Sequence, residues 1–61
     1  MEQQYDIKEM VTKIEALKKT ALALKATSHG IPAVDSNVDR ILTNIRILEI
    51  NVTEAADILR D

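Results

Sequence analysis

The chain has 61 residues, no cysteine, one histidine, and eight Lys and Arg against ten Asp and Glu, for a formal net charge of −2. That composition excludes disulfides, thiolate metal sites and His-rich metal sites, and gives no global attraction to nucleic acid or to an anionic membrane. A chain this short buries only about 60% of the surface it exposes when unfolded, and with disulfides and metals gone, oligomerisation is the remaining way to add core.

The apolar fraction is 46% but the aromatic fraction only 2%, so the apolar mass is Ile, Leu, Val and Ala, residues that fill seams between helices. No apolar run approaches the roughly 18 residues of a membrane span. The opening MEQQYDIKEM is acidic and polar where a secretory leader would be basic and then apolar. The expected compartment is therefore the cytoplasm.

From Ile7 the apolar residues fall at Ile7, Met10, Ile14, Leu17, Ala21 and Leu24, alternating three and four apart, with Val11 widening the stripe. That is the seam of a packed helix. No Gly or Pro interrupts it and EALKKTALALKA is rich in helix formers, so the spacing predicts a helix over about 3–28, a rod of roughly 38 Å.

The stretch SHGIPAVDS, residues 28–36, brings together the single Gly, Pro and His of the chain. Gly30 suits the left-handed residue after a helix, Ile31 the apolar residue that folds back on the last turn, and Pro32 stops the helix from continuing. His29 in the last turn would complement the helix dipole when protonated. The second helix starts either at Pro32, as its first residue, or at Ser36, with Ser36 and Asp39 forming a capping box. The turn thus spans about 29–35.

The second seam runs Val38, Leu42, Ile45, Glu49, Val52, Ala56 and Leu59, thickened by Ile41, Leu48 and Ala55. Its β-branched residues would suit a strand, but a strand needs a period of two and this seam has a period of about 3.5. Period outweighs propensity, and a helix is expected to about residue 60.

No motif carries a reaction. His29 has Ser28 beside it in sequence, and adjacent helical residues point apart; Asp35 could approach across the turn, but no glycine-rich or oxyanion-binding loop exists to use such a pair. Asp35, Asn37 and Asp39 match the first ligands of a calcium loop, yet Arg40 and Arg46 stand where that loop needs Gly and Glu. NVT at residues 51–53 has the form of a glycosylation sequon inside an expected helix. No catalytic, cofactor-binding or metal-binding residue is assigned, and no enzyme is expected.

Lys8 to His29 carry a net charge of +3 and Asp35 to Asp61 one of −3, from five Lys less two Glu and three Arg less six acids. Antiparallel pairing of the two helices uses that opposition internally. Glu49, the charged residue of the second seam, is expected near Lys13, Ile14 and Leu17 with Lys18 a turn away, either meeting a lysine at the edge or fixing the register.

Ile47, Ile50 and Ile58 fall on the far side of helix 2 and form an outer strip that further oligomerisation or a heterologous helix could cover.

The fold expected is all-α: an antiparallel two-helix hairpin that pairs with a second copy as a four-helix bundle. Residues whose numbers sum to about 62 should face each other, which puts Leu24 with Val38, Ala21 with Ile41 and Leu42, Leu17 with Ile45, Met10 with Val52, and Ile7 with Ala55 and Ala56. The function expected is a non-enzymatic protein-interaction module, a small regulator or assembly adaptor. Its partners would be itself and a heterologous helical protein, with no small-molecule substrate, cofactor or membrane. The alternative is an RNA-binding bundle using Lys8, Lys18, Lys19 and Lys25. An RNA-binding regulator of plasmid copy number shares that bundle architecture, a likeness of shape only.

Overall fold

A computed structural model describes residues 6–60, the side chains of Leu59 and Arg60 apart. The Leu59 side chain and the expected helical residues 3–5 lie outside what is described. The protein is an all-α hairpin: α1 (Ile7–Thr27) and α2 (Pro32–Arg60) pack side by side in a rod 47 Å long and 16 Å across.

Helix α1 starts at Ile7, and Asp6 caps it. Asp6 is non-helical at φ −93°, ψ 81°, and its carboxylate accepts the Glu9 backbone N–H at 3.0 Å. An Asp at this position satisfies one of the amides the first turn leaves unpaired.

Gly30 is left-handed as expected, but it is not alone. His29 already takes φ 53°, and Gly30 follows at φ 85°. His29 therefore belongs to the turn and not to the last turn of α1. Ile31 is 54% exposed and stands outside the core. Its carbonyl accepts the Asp35 N–H at 3.0 Å, the first bond of α2. Pro32 is then the first helical residue, where its missing N–H costs nothing. Ser36 lies inside the helix and exposed, so the box with Asp39 does not form; Asp39 pairs with Lys25.

Ser28 closes the corner. It is buried, donates its hydroxyl to Asp35 Oδ1 at 2.5 Å and accepts the Gly30 N–H at 3.3 Å. One hydroxyl thereby ties the end of α1, the left-handed turn and the first turn of α2.

The core is a single row from each helix: Ile14 and Ala21 from α1, and Val38, Ile45 and Val52 from α2, with Ile7, Met10, Val34 and Leu42 packed against them. Each row repeats at seven residues, and in α1 the repeat continues into Ser28. The ion pairs Lys25–Asp39 and Lys18–Glu49 join residues whose numbers sum to 64 and 67. At that register the layers are Ser28 with Val38, Ala21 with Ile45, and Ile14 with Val52. The expected layers, built on a sum of 62, are displaced by up to about one helical turn. The cause is at the corner: Asp35, in the first turn of α2, closes on Ser28 and moves the pivot past Ile31.

Candidate functional site

With one row of each helix buried, the two flanks of the seam become different surfaces. In an antiparallel pair, residues four positions after the buried row fall on one side of both helices, and residues three positions after it fall on the other. The first side holds Val11, Lys18 and Lys25 of α1 and Leu42, Glu49 and Ala56 of α2. The second holds Met10, Leu17 and Leu24 of α1 and Ile41, Leu48 and Ala55 of α2. The expected seam took one flank from each helix, so its members are divided between two sides.

The first side is charged, with two ion pairs bridging the helices beside Val11 and Leu22, which are 41% and 49% exposed. Lys18 Nζ lies 3.5 Å from Glu49 Oε2, and Lys25 Nζ lies 2.6 Å from Asp39 Oδ1. The hydrogen bond to Asp39, then its charge and that of Asp35, hold the Lys25 ammonium above its ordinary 10.5, with desolvation opposing. Glu49 is half-buried and meets Lys18; Lys13 pairs with Glu9 instead, at 3.6 Å. Arg46 and Glu49, with Lys18 and Leu22, line a shallow groove there. No buried side-chain nitrogen or oxygen among the described residues is without a hydrogen-bond partner, so none is left aimed into such a groove for a ligand.

The second side is apolar and open. Leu17, Leu24, Ile41 and Leu48 are between 41% and 52% exposed. Asn37, Asn44 and Asn51, seven apart, border it on α2, and Thr20 and Thr27 border it on α1. Among the described helix residues that border it within about 120° of the seam, Lys13 is the charged one, and Glu9 pairs with it. An apolar centre whose polar margin carries a single charged residue is the composition of an interface core, where charge is depleted. This sidedness was missed in reading the sequence, although the sevenfold spacing of Asn37, Asn44 and Asn51 was there to signal it.

The outer strip is also exposed: Ile47 and Ile50 about as much as Leu48, and Ile58 at 75%. Of the four lysines of the RNA alternative, Lys18 and Lys25 are engaged by carboxylates of α2, while Lys8 and Lys19 are exposed and, among the described residues, make no ion pair to α2. His29 is exposed at the turn. Among the described residues no three His, Cys, Asp or Glu side chains gather as a metal site, and no helix is long and apolar enough to cross a membrane. No protein-family model matches the sequence, and no curated protein or solved structure matches it significantly.

Proposed function

We propose that this chain is a non-enzymatic interaction module that works as a homo-oligomeric helical bundle, acting as a small regulator or assembly adaptor. The observation that carries the reading is the open side: four Leu and Ile side chains, each about half exposed, share one flank of a hairpin whose other flank is bridged by ion pairs. Scattered exposed apolar residues are ordinary, but a contiguous row with a polar margin marks a contact surface. A second copy is the occupant favoured, because the surface bears almost no charge for a charged partner to complement. Among the described residues, five apolar side chains are buried between the two helices. Fully burying one Leu or Ile contributes roughly 1.5–3 kcal/mol, so even the half still exposed on each is a substantial addition to so thin a core.

Self-association makes thermal stability depend on protein concentration. Circular dichroism melts over a hundredfold range of concentration should show a rising midpoint with helicity unchanged. A midpoint that stays fixed across the range would refute the proposal.

A further inference from the structure

We infer that the second copy lies face to face on the open side with its turn at the opposite end of the bundle; this rests on the proposed self-association and specifies its geometry. The open side has three rungs. The pairs Lys25–Asp39 and Lys18–Glu49 fix which residues share a level. Leu24 and Ile41 form the rung nearest the turn, Leu17 and Leu48 the middle rung, and Met10 and Ala55 the rung at the open end. Leu17 stands seven residues from both Met10 and Leu24, and Leu48 seven from both Ile41 and Ala55. The two helices thus place their midpoints on the same rung, and a two-fold axis through that rung maps the row of rungs onto itself.

Such an axis can run in two directions. If it crosses the hairpin, each helix lies against its own copy running the opposite way, and the turn-end rung meets the open-end rung of the second copy. Ile41 then packs on Ala55, Leu24 on Met10, and Leu17 and Leu48 on themselves. If it runs along the helices, α1 lies on α2 of the second copy and like rungs meet. Four branched Leu and Ile side chains would then crowd the turn end, and two Ala with two Met would leave the open end underfilled. Interiors pack to a nearly constant density, and both crowding and voids are destabilising. The sizes along the two helices therefore select the first arrangement, a closed isologous dimer.

Two measurements on the full chain test the arrangement. The chain has no cysteine of its own, so Ala33→Cys, at an exposed site beside the turn, accepts a single spin label. Ala33 is 15 residues from the middle rung at Leu48, so opposite turns place the two labels about 45 Å apart, against less than about 25 Å for turns at the same end. In parallel, Ala55→Leu should weaken the dimer about tenfold or more by crowding Ile41 of the second copy, and adding Ile41→Ala should restore most of the affinity. A short label distance, or an Ala55→Leu variant that dimerises as well as or better than the natural chain, overturns this orientation and leaves self-association standing. A labelled chain with no dipolar coupling and the mass of one copy overturns both.

Discussion

Three consecutive residues decide where the chain reverses. Gly30, at φ 85°, has nothing within 4 Å of where a Cβ would sit, so the cost of Gly30→Ala is conformational and not steric. A left-handed L-residue costs roughly 1–2 kcal/mol, and Gly30→Ala should lower stability by about 1 kcal/mol. His29 already carries that strain at φ 53°, so His29→Gly should raise stability by about 0.5–1 kcal/mol. Denaturant melts of the two variants check both signs; a destabilising His29→Gly would mean the imidazole makes contacts that outweigh its backbone strain. The Gly and Pro announced this corner in the sequence, but the role of Ser28 was hidden. A serine beside a histidine reads as surface. What gives it away is its place as the fourth member of the row Ile7, Ile14, Ala21 and Ser28, a clue visible only once the row is known to be the buried one.

At the scale of the elements, both helices were legible because the heptad period is sustained over each of them, and it overrode the β-branched run from Ile41 to Ile50. The register was not legible. It depends on whether Ile31 ends one helix or begins the next, and the sequence leaves that open because Pro32 and Ser36 are both acceptable starts. Nor was the division of the flanks, since positions three and four after a buried residue are both apolar in parts of each helix. Handedness and antiparallel packing separate them, and the ion pairs show which flank is which. The Lys25–Asp39 pair also has a signature in pH. A lysine whose ammonium is held above its ordinary 10.5 in the folded state contributes its full stabilisation below that value and loses it as pH rises through the raised one. The stability difference between the natural chain and Lys25→Met should therefore be constant from neutral pH to about 10.5 and shrink above it. Chemical melts across the alkaline range test this; a difference that shrinks already near neutral pH would contradict it.

At the scale of the whole molecule, the hairpin is a two-sided rod with charge on one flank and unspent apolar surface on the other. Exposure alone does not distinguish the open side from the outer strip. Ile47 and Leu48 are neighbours in sequence and nearly equally exposed, at 48% and 41%, yet they point to different sides. Burial of a lysine in an apolar contact costs several kcal/mol, whereas a lysine on a solvated helix face costs almost nothing. The most direct test of the open side as the self-association surface is sedimentation equilibrium of the natural chain, Leu48→Lys and Ile47→Lys at micromolar concentrations. The expected result is a mass approaching twice the 6.8 kDa of one chain for the natural protein and for Ile47→Lys, and a single-chain mass with helicity retained for Leu48→Lys. A single-chain mass for the natural protein throughout, or loss of the dimer in Ile47→Lys and not in Leu48→Lys, would contradict it.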